Sequence, residues 1–154
     1  MSQSTRFSVA IHILVALTLR KAERLTSEEL AWSIDTNASM IRRILTSLNR
    51  AGLVSSHAGP AGGAVLDKDP KRISLLDVLL AVELKPSSGV HTPNPECPLG
   101  AVLEEPLCAV LTEAEKASQR VLSQKTVLEV ARTIGRRVGR ATEPAARSRA
   151  AKHR

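Results

Sequence analysis

The sequence predicts a mainly α-helical protein with a small β-wing, built as a winged helix-turn-helix followed by a long C-terminal dimerisation helix. Residues 26–66 carry this prediction, because their pattern is that of helix, tight turn, helix and two short strands around a glycine-rich loop. Aromatic residues make up only 1% of the 154 residues, so the core must be aliphatic, which suits helices packed on helices. A unit of this order presents one polar helix face to the major groove of DNA.

The first predicted helix covers residues 7–20 and is apolar on nearly every side. A helix of this kind must be covered all round, and one small domain covers only one side of it. We therefore expect its other side to pack against a second subunit, so that it forms the dimer together with the long C-terminal helix.

The second predicted helix begins at Thr26, which forms a capping box with Glu29 three residues later. Residues 35–37 end this helix and supply the turn to the next one. Trp32 is expected to pack the second helix against the core.

The third predicted helix, residues 38–51, has two contrasting faces. Its apolar side chains recur at helical spacing and form one buried stripe of Ile41, Ile44, Leu45 and Leu48. Polar and basic side chains occupy the opposite face, and Gly52 is expected to end the helix in the left-handed conformation.

Short strands at residues 53–57 and 64–66 predict the wing, since the glycines between them permit positive φ. Three further helices are expected, over residues 74–83, 99–123 and 126–133. In the long helix 99–123, Pro106 predicts a kink or a break.

The net charge of +7 is concentrated at the C-terminus, where residues 132–154 hold eight Lys or Arg and one Glu. This tail is expected to be disordered, and it is either a phosphate-binding arm or a solvated extension without a role. Residues 1–66 hold seven basic and four acidic side chains, a bias of +3 where DNA contact is predicted. The predicted organisation is a winged helix (1–84), a linker (85–98), dimerisation helices (99–133) and the tail (134–154).

Three segments resemble the Rrf family of bacterial winged-helix regulators: residues 26–54, the wing loop Gly59-Pro60-Ala61-Gly62-Gly63, and residues 73–78 followed by a loop and a long helix. The resemblance covers about residues 5–130. It implies homodimers whose long helices cross, bound to palindromic promoter sites in double-stranded DNA. It also implies that bases are contacted near the start of the third helix, at the positions of Ser39 and Arg42.

Two positions depart from the family pattern. A relative that binds an iron–sulfur cluster has a carboxylate where Arg42 stands, so the operator should differ, since Arg donates to guanine and a carboxylate accepts from cytosine. Family wings commonly carry Arg just before the glycines, whereas this chain has Ala58 there with His57 beside it. Insertion of the wing into the minor groove should therefore be weaker.

The residues predicted to contact DNA fall on the third helix and in the wing. They are Ser39, Met40, Arg42, Arg43, Thr46, Arg50, His57, Gly59, Gly62 and Gly63. The plainer interpretation of the arginines is a solvated helix face, but their place after a turn and before a wing favours DNA contact.

Some family members hold an iron–sulfur cluster through three cysteines, whereas this chain has only Cys97 and Cys108. We therefore expect no cofactor, and a cluster completed by His91 or Glu96 is disfavoured. Cys97 is expected to be either an inert surface thiol or a redox switch, whose pKa would fall near a helix N-terminus. Cys108 lies among apolar residues and is expected to be a small core side chain.

The sequence therefore predicts a cytoplasmic, homodimeric transcriptional regulator. The simplest prediction is a repressor, and a thiol or redox signal is one way in which its DNA binding could be modulated. The alternative is a winged-helix protein-interaction module without sequence-specific DNA binding. An enzyme is not expected, because no nucleophile elbow, metal motif or phosphate-binding glycine loop is present. No membrane association is expected, since the longest charge-free apolar run near the N-terminus is 13 residues.

Overall fold

The computed structural model describes residues 5–20, 23–57, 59, 62–83, 94 and 96–142. Within this part of the chain the elements are α1 (Thr5–Leu19), α2 (Ser27–Ile34), α3 (Ala38–Arg50), β1 (Val54–His57), β2 (Gly63–Leu66), a 3-10 turn (Pro70–Arg72), α4 (Leu75–Val82), α5 (Pro98–Ser123) and α6 (Val127–Thr142). This order confirms the predicted mainly α fold with a small wing. The loop predicted at residues 85–98 lies mostly outside the described residues.

Hydrogen-bonded caps fix the ends of α2 and α3. The Thr26 amide donates to Glu29 Oε2 at 2.8 Å, and the Glu29 amide donates back to Thr26 Oγ1 at 3.2 Å, which confirms the predicted capping box. The bond from the Thr26 amide is the main reason why the pKa of Glu29 lies below its ordinary value. Asp35 turns the chain in the left-handed conformation at φ 58°, and Asn37 Oδ1 then accepts from the Met40 amide at 2.8 Å. Local chemistry therefore sets the angle between α2 and α3.

Replacing Thr26 with alanine is expected to lower the free energy of unfolding by about 1 kcal/mol, because an orphan helix amide loses its acceptor. Urea denaturation followed by circular dichroism measures this change. Thr26→Ser, which keeps the hydroxyl, should unfold close to the wild-type midpoint. Equal loss in both variants would contradict the assigned role of the hydroxyl.

Helix α1 runs through the centre of the core. Its buried side chains are packed by α2, α3, α4, α6 and β2 of the same chain. Its buried hydroxyl, Thr18 Oγ1, donates to the Leu14 carbonyl oxygen at 2.7 Å, so it is satisfied locally. The premise that one domain covers only one side of this helix is wrong, because α6 of the same chain packs along it. Contact of its exposed residues with a second subunit stays a prediction.

Helix α6 is twice the predicted length and belongs to the core. The sequence placed residues 99–133 in the dimerisation unit, whereas Val127 and Ala131 are fully buried beside α1. The predicted disordered tail is helical from residue 134 to Thr142. The two helices approach closely at Gly135, where a built Cβ would lie 3.3 Å from Leu19 Cδ2. The remainder of the tail, residues 143–154, lies outside the described residues.

Trp32 does not pack in the core as predicted. Its side chain is 87% exposed. The buried face of the eight-residue helix α2 consists of Leu30 and Ala31, and Trp32 points to the opposite side. On so short a helix, Leu30 and Ala31 fill the small inward face and leave no place there for an indole ring.

The wing is a two-stranded antiparallel sheet in which Val54 pairs with Leu66 and His57 with Gly63. An isolated bridge between Leu25 and Ala64 attaches it to the chain between α1 and α2. Gly63 has φ 137°, and a Cβ there would lie 3.0 Å from both Arg24 Cβ and the Leu25 carbonyl oxygen. Only glycine therefore fits this close approach at the base of the wing.

Helix α5 is one continuous 26-residue helix that runs through Pro106 and packs on α4 along one side. The sequence predicted either a kink or a break at this proline, and the continuous helix excludes the break. Cys108 is half-buried and lies outside the main core, so the prediction of a small core side chain holds only in part.

Candidate nucleic-acid interface

Helix α3 separates its residues into a buried and an exposed face. Ile41, Ile44, Leu45 and Leu48 are each at most 5% exposed and anchor the helix in the core. The polar side chains on the other face are exposed: Ser39, Arg42, Arg43, Thr46 and Arg50. Gly52 ends the helix at φ 67°, as the sequence predicted. The core thus holds α3 rigidly while its basic face is free to contact a partner.

Within this face, Arg42 donates from Nη2 to Glu28 Oε1 of α2. The two side chains are 57% and 66% exposed. Thr46 Oγ1 donates to the Arg42 carbonyl oxygen at 2.8 Å, so its hydroxyl keeps only acceptor capacity for a partner. Sequence reasoning missed the pair with Glu28, because the two residues lie on different helices, 14 positions apart.

A second basic feature of this surface comes from α1. Arg6 lines an open groove of about 400 Å³ together with Asn37, Ser39, Met40, Arg43 and Ile44 at the start of α3. Arg6 was not among the predicted contact residues, since it precedes the helix-turn-helix by some 20 positions. Its position shows that the basic surface extends from α3 onto the N-terminal end of α1.

Met40 contributes less to the exposed face than predicted. It is half-buried, packs against the core, and accepts a hydrogen bond from Thr36 Oγ1 at 3.6 Å through its sulfur. Its backbone amide is already used by Asn37. Only the outer part of the side chain therefore faces the groove.

In the wing, His57 ends β1 with an exposed side chain. Gly59 has φ 107°, and its carbonyl oxygen accepts from the Gly62 amide at 2.9 Å, which closes the loop. Ala58, Pro60 and Ala61 lie outside the described residues. The wing therefore offers His57 and backbone groups, while Gly63 is held at its base.

The sequence profile of the Rrf2 family, described as iron-dependent transcriptional regulators, matches residues 3–133. The chain belongs to the Rrf2 family. Its fold and its exposed α3 face are those expected of a DNA-binding transcriptional regulator, and the family consists of regulators rather than enzymes.

Individual relatives agree with this Rrf2 assignment. YwnA of Bacillus subtilis, named as an HTH-type transcriptional regulator, is 36% identical over 129 residues, which are 82% of this chain and 95% of YwnA. A crystal structure named as a DNA-binding protein is 34% identical, with a TM-score of 0.67 over 82% of this chain and 98% of its own. A transcriptional regulator from Lactobacillus plantarum is 26% identical, with a TM-score of 0.74 over 84% of this chain and 89% of its own.

The cysteines of this Rrf2 protein do not fit an iron-binding centre. Cys97 immediately precedes α5 and Cys108 lies within it, so eleven helical steps separate them by roughly 16 Å along the axis. That separation is too large for a disulfide or for shared ligation within one chain. No group of three metal-ligating side chains occurs among the described residues, and His91 lies outside them.

Cys97 is exposed at the N-terminus of α5. The amides of Gly100 and Leu99 face its sulfur and hold the pKa of the thiol below its ordinary value. A thiolate is the reactive form of cysteine, so the lowered pKa favours reaction of this exposed thiol. Within the described residues no helix is both long and apolar enough to cross a bilayer.

Proposed function

We propose that this Rrf2 protein acts as a homodimeric repressor that inserts one α3 into the major groove at each half of a palindromic promoter site. The observation that carries the proposal is the exposed basic face of α3, held in place by its four buried aliphatic residues. A dimer over a promoter represses by excluding other proteins from it. Since its target is chromosomal DNA, we place it in the cytoplasm.

A stripe along α5 supports dimerisation. Its members are spaced three or four positions apart, and apart from the half-buried Leu103 they are exposed: Leu99, Leu103, Pro106, Val110, Ala114, Ala117 and Val121. The pattern repeats after eleven residues, from 99 to 110 to 121, which keeps the stripe on one side of a nearly straight helix. It spans roughly 33 Å, enough for two copies of α5 to cross. An uncharged stripe of this length is unusual on a surface that stays in water.

The proposed DNA contacts of α3 and Arg6 divide into contacts with bases and contacts with phosphates. We assign base recognition to Ser39 and Arg42, at the start of α3, because an Arg pairs bidentately with guanine O6 and N7. Arg6, Arg43, Thr46 and Arg50 flank them, and we assign these side chains to phosphates, which position the protein without carrying sequence information. Met40 lies between the two base-contacting residues and adds apolar contact.

In the wing, His57 and the backbone of Gly59 and Gly62 are assigned to the neighbouring phosphates. Gly63 supports this arrangement from the base of the wing. Because His57 is the only titratable side chain described in the wing, its contribution should be smaller than that of α3.

Selection of duplexes from random DNA by the full chain, followed by competition binding, tests this function. Enrichment of a two-fold symmetric sequence, displaced by itself but not by random duplex, is the expected result. Binding that does not depend on sequence would favour the alternative, a protein-interaction module.

Cys97 offers a point of thiol control. It lies where the linker meets α5, so a chemical change there can alter the separation of the two α3 helices. The lowered pKa of Cys97 supports this role, because oxidants and electrophiles attack the thiolate. Cys108, half-buried within α5, is the less accessible candidate.

The rate of Cys97 alkylation by iodoacetamide is expected to rise with pH. Its midpoint should lie below the pKa of an ordinary thiol, which is about 8.5. The folded state stabilises the thiolate, so at pH 7 the folded protein should react faster than the same protein in urea. Mass spectrometry measures both rates, and Cys97→Ser isolates the contribution of Cys108. Equal midpoints in the folded and unfolded protein would contradict the lowered pKa.

A further inference from the structure

Among the arginines on the proposed DNA-contacting surface, Arg42 differs from the others in its ion pairing. In the described part of the chain Arg42 forms an ion pair, with Glu28, whereas no ion pair joins Arg6, Arg43 or Arg50 to a carboxylate. Arg42 is also the arginine assigned to a base rather than to phosphates. The pair therefore occurs where orientation of a guanidinium matters most.

The cap of α2 does not use Glu28, whose carboxylate in the first turn adds only a small favourable interaction with the helix dipole. The capping of α2 is done by the adjacent Glu29, which accepts from the Thr26 amide and hydroxyl and lies 3.9 Å from Arg20. Glu28 and Arg42 are more than half exposed, and surface ion pairs of this kind contribute little to stability. A carboxylate beside bound DNA also repels phosphates, so its presence on this surface lowers affinity for DNA of any sequence.

The geometry of the pair leaves Arg42 able to bind a base. Glu28 Oε1 accepts from Nη2 alone. A guanidinium has five N–H donors in a planar fork, and guanine needs only two of them. The two hydrogens of Nη2 belong to different edges of the guanidinium, one shared with Nη1 and the other with Nε. Glu28 therefore leaves one of these two edges free to pair with guanine O6 and N7 while it holds the other.

We infer that Glu28 is a positioning residue for base recognition, which orients the guanidinium of Arg42 toward guanine and keeps it from the phosphates. The inference rests on the proposed function. Arginine loses considerable rotamer freedom when it is fixed, and ordering such a side chain before binding lowers the cost of binding. Glu28 thus increases the ratio of specific to non-specific affinity, although it reduces non-specific attraction.

The test uses the duplex that the wild type selects from random DNA and a second duplex in which the guanine contacted by Arg42 is replaced by adenine. That guanine is the position at which Arg42→Ala loses discrimination. Fluorescence anisotropy of Glu28→Ala on both duplexes should show the affinity ratio reduced by about 2- to 12-fold, the cost of ordering one long side chain. In the Arg42→Ala background, Glu28→Ala should not change the ratio further.

Asp35→Asn is the matched control. It removes one negative charge from the same helix-turn-helix, and asparagine tolerates the left-handed conformation at φ 58°. Asp35 forms no ion pair in the described part of the chain, so this variant should bind both duplexes more tightly by a similar factor. Thermal unfolding by circular dichroism verifies that all variants fold.

Two outcomes overturn the role of Glu28 while the proposed function stands. In both, the ratio in Glu28→Ala is unchanged where Arg42→Ala lowers it. If neither affinity changes, Glu28 has no role in binding. If both affinities rise equally, as expected for Asp35→Asn, Glu28 only repels DNA. If the wild type selects no sequence, or if Arg42→Ala discriminates as well as the wild type, the assignment of Arg42 to a base is itself overturned.

Discussion

Replacing Arg42 with alanine is expected to reduce discrimination at one guanine of each half-site by roughly 5- to 150-fold, the 1–3 kcal/mol that a bidentate Arg–guanine pair provides. The side chain is more than half exposed, so its removal leaves the core of α3 intact. Competition binding with duplexes that differ only at this guanine measures the effect.

Arg43→Ala is the control for this prediction, because it removes the same side chain from the neighbouring position of the same exposed face. As a phosphate contact, Arg43 should affect all duplexes alike and reduce the salt dependence of binding by about one unit of logarithmic slope. If both variants lose affinity uniformly, Arg42 does not read a base.

Placing a lysine at Val110 is expected to dissociate the dimer and to weaken operator binding with it. Val110 lies at the centre of the α5 stripe and is 63% exposed in the single chain, so the substitution costs the isolated subunit little. In a dimer both copies would bury an unpaired charge, which costs at least about 2 kcal/mol, or roughly thirtyfold in the dimer dissociation constant. Sedimentation equilibrium measures this constant directly.

Thr112→Lys provides the matched control on α5. It adds the same charge at an exposed position on the side of the helix away from the stripe. This variant should remain dimeric and bind its operator normally. Monomeric wild type, or equal behaviour of the two lysine variants, would contradict the proposed interface.

The helix-turn-helix could be predicted from sequence because local chemistry fixes it. Thr26 and Asn37 cap their own helices, and the buried stripe of α3 recurs at the helical period. These signals lie within a few residues of one another, so no knowledge of distant contacts is needed. The exposed positions on α3 follow from the same periodicity.

What the sequence could not predict depends on contacts between distant segments. Residues 134–142 have the composition of a tail, yet α6 is stabilised by packing on α1, which it approaches closely at Gly135 and Leu19. For the same reason α1 is covered within its own chain. The groove that Arg6 lines and the pair between Glu28 and Arg42 likewise join positions far apart in sequence, and only the packing of the helices brings them together.

Methylation interference on the selected duplex tests the central claim most directly, because modification of guanine N7 blocks the contact assigned to Arg42. We expect interference at one guanine in each half-site, related by two-fold symmetry and separated by about one helical turn or a multiple of it. Arg42→Ala should abolish this pattern and leave the phosphate contacts. Interference at a single unsymmetrical position, or none at any guanine, would contradict a dimer that reads DNA through α3.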